Sequence, residues 1–292
     1  MLEGRILKGI GGFYYVYTDE GIFQCRAKGL FRQKSLKPLA GDRCSIELTH
    51  TDDVEGNVTE IHKRKNVLVR PPVANIDQAL VVFAIHSPEP AWTLMDRFLI
   101  MMERNRILPV ICVNKDDLAE PSELQTIERI YGKTGYRLIF TSVKNDSGLD
   151  EIREVLKGKV TSVAGPSGVG KSSLINALAG SEVMETGEVS QKLKRGKQTT
   201  RHTELIYLGE DTFIFDSPGF SAMDLPEMEE KELEGCFPEM REYLGKCYYS
   251  DCSHTHEPGC SIKQAALDGD IPTERYDSYI GILNELKEKR RY

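Results

Sequence analysis

The sequence has no long apolar run. Its longest clean stretch, Ala79 to Ile85, is seven residues, whereas a helix needs about 20 to cross a bilayer. The opening residues, Met1-Leu2-Glu3-Gly4-Arg5, lack the apolar centre of a secretory signal. Both absences argue for a cytoplasmic chain without a membrane partner. Net positive charge is missing too: the formal charge is −7. Cysteine is present, but as seven residues. An odd number in a cytosolic chain suits metal binding or free thiols better than a disulfide framework.

What is there is enough for two or three domains. The chain has 292 residues and 40% hydrophobic content, as expected of a globular protein. Its charge is unevenly spread. Residues 1–70 carry 12 Lys/Arg against 9 Asp/Glu, while the remainder carries 26 against 36. The basic excess at the N-terminal end fits either a nucleic-acid contact or a solvated face.

The stretch Gly165-Pro166-Ser167-Gly168-Val169-Gly170-Lys171-Ser172 matches G-x-x-x-x-G-K-[ST]. Apolar Val160 to Ala164 before it reads as a buried strand. Ser173 to Ala179 after it reads as a helix stopped by Gly180. That strand–loop–helix context is what a phosphate loop requires. The glycines let successive backbone N–H groups turn toward one anion, and the helix N-terminus adds its positive dipole end. Lys171 is expected to reach the β- and γ-phosphates, and the Ser172 hydroxyl to ligate Mg²⁺.

Residues 1–70 read as all-β, with strands at Gly4–Ile10, Phe13–Thr18, Ile22–Ala27, Arg43–Thr49 and Asn57–His62. Five short strands suggest a small barrel of oligonucleotide-binding type. Phe13, Tyr14, Tyr15 and Tyr17 fall on both strand faces, so they divide between core and surface. Those facing outward can stack on bases. Arg26, Lys28, Arg32, Lys34 and Lys37 form one basic region and Lys63-Arg64-Lys65 another. Each can hold phosphates. After Pro71-Pro72, strands alternate with helices, the pattern of a parallel α/β sheet. Strands are expected at Gln78–Ile85, Pro109–Val113 and Arg137–Phe140, and helices at Leu94–Asn105, Ser122–Tyr131 and Leu149–Leu156.

Motifs at the C-terminal ends of such strands lie where ligands bind. Asn114-Lys115-Asp116-Asp117 fits N-K-x-D. The Asp117 carboxylate can accept from guanine N1–H and the 2-amino group, and adenine offers neither. Asn114 can bridge base and phosphate loop, and the Lys115 stem can cover the base. Ser142-Val143-Lys144 resembles S-A-K, whose contact is to guanine O6. Downstream, Gln198-Thr199-Thr200 lies in a polar stretch that suits a switch loop whose threonine caps Mg²⁺ and the γ-phosphate. A hairpin at Glu204–Leu208 and Thr212–Phe215 leads into Asp216-Ser217-Pro218-Gly219, a D-x-x-G match. Asp216 would hold Mg²⁺ through water, and the Gly219 N–H would sense the γ-phosphate.

All the guanine-nucleotide motifs are present, but the base-reading pair precedes the phosphate loop. The chain therefore resembles a circularly permuted GTPase. With the β segment before it and a Cys/His cluster after it, it resembles the ribosome small-subunit-dependent GTPase A family nearly end to end. That resemblance implies an OB-type RNA-binding barrel at 1–70, a permuted α/β GTPase domain at 71–222 and a mainly α zinc-binding domain at 223–292. It implies GTP as substrate, GDP as product, and a role in late maturation of the small (30S) ribosomal subunit, which stimulates hydrolysis. The small subunit and its rRNA are the expected partners of a monomeric chain.

One residue departs from common GTPases. Phe220 follows Gly219, where a glutamine usually orients the attacking water, and an apolar side chain cannot do so. Gln198 and His202 are the candidates for that task. Cys247, Cys252, His254 and Cys260 lie within fourteen residues, and their types suit a structural Cys₃His zinc site. Cys236 and His256 are rival ligands. The helix expected at Thr273–Lys289 carries Tyr276, Ile280, Leu283 and Leu286 on one face, toward the metal loop. Two other functions fit less well. A phosphate-loop ATPase does not need Asp117, and an RNA-binding module using nucleotide only as regulator does not need Lys171, Ser172 and Asp216 intact.

Overall fold

The structure, a computed structural model, describes residues 1–27, 36–49, 54–68, 72–181, 204–216 and 228–289. The strands are β1 (Leu2–Ile10), β2 (Phe13–Thr18), β3 (Gly21–Ala27), β4 (Arg43–Leu48), β5 (Glu55–Ile61), β6 (Val67–Leu68), β7 (Val73–Ala74), β8 (Gln78–Ala84), β9 (Leu108–Asn114), β10 (Arg137–Thr141), β11 (Val160–Ala164), β12 (Ile206–Gly209) and β13 (Thr212–Asp216). The α-helices are α1 (Trp92–Arg104), α2 (Pro121–Tyr131), α3 (Leu149–Leu156), α4 (Lys171–Ala179), α5 (Glu230–Gly235), α6 (Ser261–Leu267) and α7 (Thr273–Lys289). No helix among the described residues is long and apolar enough to cross a membrane.

Two compact units result. The first comprises Met1–Leu80 with Leu149–Ser221, the second Val81–Gly148 with Ala222–Tyr292. In the first, β1 to β5 close a barrel in the order β1-β2-β3-β5-β4. Alternation drives the closure. Inward-facing Ile6, Val16, Phe23, Cys25, Cys44, Ile46 and Val58 form one core, each large side chain contributing roughly 1.5–3 kcal/mol. Closure leaves no open edge to pair with another chain. The same unit holds β11, beside which β13 runs parallel and β12 completes an antiparallel hairpin.

The second unit holds β9 and β10, paired in parallel from Val110↔Arg137 to Asn114↔Thr141. The crossover that parallel pairing demands is supplied by α2. Pro at the first helical position and a capping box between Glu120 and Glu123 start that helix. Strand β8 leads from one unit into the other and is buried along its whole length, which explains its unbroken apolar sequence.

The C-terminal segment packs within the second unit. Ile100 of α1 joins Leu233, Phe237, Met240, Ile262, Tyr279, Ile282 and Leu283 in one core. Helix α7 spans the expected residues, but its buried face is Arg275, Tyr279, Ile282, Leu283 and Leu286. Tyr276 and Ile280 lie at the margin of the core instead. The reason is Arg275, 1% exposed. It donates to Asp96 of α1 and, at 2.6 Å, to Glu239. An apolar pattern does not register a charged residue as buried. Helices α5 and α6, of six and seven residues, were too short to show a period.

The barrel aromatics Phe13, Tyr14, Tyr15 and Tyr17 are half-buried. Arg26 lies 4.8 Å over the Phe13 ring, Lys8 lies 5.3 Å over Tyr15, and Tyr17 packs on Tyr207. Of the basic regions, Lys28, Arg32 and Lys34 lie outside the described residues.

Candidate functional site

Three constellations carry chemistry. In the first unit, buried β11 ends at Ala164 and the chain turns through Gly165, Gly168 and Gly170 at φ 143°, 84° and 95°. Those values lie where only glycine is comfortable. Gly170 caps α4 from the left-handed region without any side-chain hydrogen bond, and Gly180, at φ 67°, closes its other end. The Lys171 ammonium folds back over the loop and donates to the carbonyls of Gly165 at 2.9 Å and Pro166 at 2.6 Å. A cation is thus held over a curl of backbone at a helix N-terminus, an arrangement that suits a polyphosphate.

In the second unit, β9 and β10 bring the two base-reading motifs together. Ser142 Oγ donates to Asp117 Oδ1 at 2.6 Å, and Lys144 Nζ lies 3.4 Å from Oδ2. The bond from Ser142, helped by the Lys144 ammonium, holds the Asp117 carboxyl below the usual carboxylate range. Lys115 adopts φ 64° and its ammonium donates to the Ser87 carbonyl. Asn114, the last residue of β9, is 2% exposed. Asp116 accepts from Ser147 Oγ at 3.0 Å, and Ser142 and Ser147 exchange backbone bonds of 3.1 and 3.2 Å. Gly148 ends this loop at φ 71°, where a Cβ would stand 2.1 Å from the Phe140 carbonyl oxygen. Asp116 and Ser147 therefore brace the pair of loops. The sequence offers no sign of Ser147.

The third constellation is the Cys/His group. Donor atoms of Cys247, Cys252, His254 and Cys260 all lie within 4.8 Å of one another. His254 Nδ1 is 3.5 Å from Cys247 Sγ and 3.4 Å from Cys260 Sγ, and the two sulfurs are 3.9 Å apart. A tetrahedron with Zn–S bonds of about 2.3 Å and a Zn–N bond of about 2.0 Å has edges near ~3.8 Å (S···S) and ~3.5 Å (S···N). The residues fit zinc. His254, at φ 61°, presents Nδ1 to the sulfurs while its Nε2–H donates to Glu234 of α5 at 3.0 Å. The hydroxyls of Tyr276 and Tyr279 donate to the carbonyls of His254 and Ser253. Glu234 escapes a sequence reading because it lies twenty residues from its histidine with no pattern between them.

Cys236 is buried apart from this group, burial pushing its thiol up to about 11, and His256 is exposed. Cys25 and Cys44, in the barrel core, are pushed by burial to about 11 and 12. The expected switch residues Gln198, Thr199, Thr200 and His202, with Gly219 and Phe220, lie outside the described residues. Asp216 is the last residue of β13, and its side chain is likewise outside the description.

Comparison with known proteins agrees along the whole chain. A family described as RsgA GTPase matches residues 61–226, and one described as RsgA N-terminal domain matches 3–57. A small ribosomal subunit biogenesis GTPase RsgA of Agathobacter rectalis is 47% identical over 302 aligned residues, covering 100% of both chains. A protein of the same name from Clostridium acetobutylicum is 47% identical over 291, again covering 100% of both. Among solved structures, YloQ, described as a circularly permuted GTPase, has a TM-score of 0.82 at 36% identity, covering 99% of this chain and 96% of its own. YjeQ from Thermotoga maritima has a TM-score of 0.83 at 32% identity, covering 98% of each. With its base-reading strands ahead of its phosphate loop and these matches end to end, the chain belongs to the RsgA family of circularly permuted GTPases.

Proposed function

We propose that this GTPase hydrolyses GTP to GDP and phosphate as a switch in late maturation of the small (30S) ribosomal subunit. The observation that carries the reading is Asp117, an ionised carboxylate oriented by Ser142 and Lys144, in a chain that also carries a phosphate loop. Two acceptor oxygens held in place match the two adjacent donors of guanine and nothing on adenine, which disfavours an ATPase. Relatives of equal length bear the name small ribosomal subunit biogenesis GTPase.

In this reading three segments divide the work: 1–70 binds rRNA, 71–222 handles the nucleotide and 223–292 is held by zinc. Asn114, Lys115, Asp117, Ser142, Val143 and Lys144 hold the base, with Asp116 bracing them. Gly165 to Ser173 wrap the phosphates, and Lys171 neutralises charge on the β- and γ-phosphoryl groups as the leaving oxygen becomes anionic. Ser172 and Asp216 hold Mg²⁺, which when bound neutralises the phosphoryl oxygens. Thr199 or Thr200 and the Gly219 N–H take the γ-phosphate, and Gln198 or His202 orients the water that Phe220 cannot. Cys247, Cys252, His254 and Cys260 hold one structural Zn²⁺. The protein works as a cytoplasmic monomer on the subunit and its rRNA.

The test is GTP turnover with and without purified small subunits, large subunits serving as control. Small subunits are expected to accelerate turnover and large subunits not to. Equal rates in all three would overturn the assignment.

A further inference from the structure

Hairpin β12–β13 lies between the two stretches assigned to the γ-phosphate. It begins four residues beyond His202 and ends on Asp216. Strand β12 is four residues long, pairs among the described residues with β13 alone, and shifts register between Tyr207 and Gly209. Its β13 partner is anchored by parallel pairing to β11, while short β12 at the margin takes a second hold from the barrel. Leu205 N donates to Leu7 O at 2.9 Å, and Lys8 pairs with Glu204 at 2.6 Å.

Above these bonds lies an aromatic seam. Arg5 of β1 and Tyr17 of β2 are direct cross-strand partners. The Tyr17 ring centroid is 4.2 Å from Tyr207 and 5.6 Å from Phe213, and the Arg5 guanidinium lies 5.0 Å over Phe213. Arg5 is 7% exposed and Phe213 fully buried. The neighbouring Tyr207 hydroxyl, with burial, pushes Tyr17 up to about 12. Phe213 is three residues before Asp216 on a strand paired directly to β11, the strand that enters the phosphate loop. Aromatic and cation–π contacts of this kind stabilise beyond area burial, and together they give the hairpin one preferred seat.

We infer that Arg5 and Tyr17 are positioning residues for hydrolysis. Seated on Phe213 and Tyr207, they set where β13 delivers Asp216, and they carry the grip of the small subunit on the barrel to the hydrolytic step. This rests on the proposed subunit-stimulated GTPase activity. The side chains touch neither nucleotide nor metal and act only through the hairpin.

The experiment compares full-length wild type, Tyr17→Ala, Tyr17→Phe and Lys8→Ala. It measures kcat and KM for GTP at saturating small subunit, and subunit affinity with a non-hydrolysable GTP analogue at one salt concentration. Tyr17→Ala should lower stimulated kcat by about tenfold or more, since small misplacements of reacting groups are costly. KM and subunit affinity should stay within about twofold, the signature of an effect confined to the chemical step. Tyr17→Phe, which keeps the ring, should recover most of the rate, and Lys8→Ala should fall between. Stimulated kcat in Tyr17→Ala equal to wild type overturns the inference. So does a loss of subunit affinity that matches the loss of kcat, because the seam would then be serving barrel integrity or RNA contact. Failure of wild type itself to respond to subunits would defeat the underlying assignment, a result separate from either.

Discussion

Asp117 shows how much one hydrogen bond decides. Its carboxyl is held below the ordinary range first by the bond from Ser142 and then by Lys144. A depressed folded value means the ionised form is favoured in the folded state. That contribution is present above the unfolded Asp pKa and is lost as pH falls through the lower folded value. Base recognition should therefore persist into mild acid. Ser142→Ala should move its loss upward in pH, toward the ordinary Asp range, in a titration of GDP affinity against pH. Asp117→Asn should reverse preference from GTP to XTP, whose 2-oxo group accepts where guanine donates. A swing of at least about 100-fold is expected, because sites built on paired hydrogen bonds reject mismatches strongly. Nucleotide competition would measure it, and an unchanged ranking would refute the role of Asp117.

At the scale of elements, the metal loop and α5 behave as one piece. Glu234 fixes His254 in the tautomer that offers Nδ1 to the metal, an outer partner of the type that sharpens affinity. Glu234→Ala should weaken zinc binding by about 10–100-fold in competition with a chromogenic chelator, while leaving about one zinc per chain at saturation. Unchanged competition would show the bond to be incidental. Helix α7 depends on Arg275, whose partners Asp96 and Glu239 are themselves buried, with side chains 4% and 2% exposed. Arg275→Met strands two buried carboxylates. The expected cost is about 3–5 kcal/mol in denaturant unfolding, far beyond that of a surface ion pair such as Arg153–Asp150.

At the scale of the whole molecule, chain order and compactness divide the protein differently. The barrel shares a unit with the phosphate loop, and the zinc-bearing segment shares one with the base-reading strands. Side-chain links join that segment to the base-reading half, among them Arg97 to Glu285, Arg129 to Glu274, Arg275 to Asp96, Arg241 to Glu103, Arg104 to Glu232 and Lys133 to the Gly269 carbonyl. Binding and chemistry should then separate cleanly. Lys171→Ala should abolish GTP turnover, through lost charge neutralisation, yet still co-sediment with small subunits through the barrel. Loss of both would place Lys171 in the fold rather than in the chemistry.

Local chemistry was legible before any fold was known. The phosphate loop, N-K-x-D, the Cys/His quartet, five barrel strands and the permuted order all rest on residue types at short spacings, because turns, caps and metal or phosphate contacts are made by near neighbours. Even the element ends were close: strand Val160–Ala164 and helix Leu149–Leu156 appear as expected, and α4 begins only two residues earlier. Tertiary structure alone decided the rest. Arg275 buried among carboxylates, Glu234 behind His254, Ser147 on Asp116, and Tyr17 seated on Phe213 are partnerships across twenty to nearly two hundred positions. No periodicity encodes them, since each depends on where the backbone brings two otherwise ordinary polar or aromatic residues into reach.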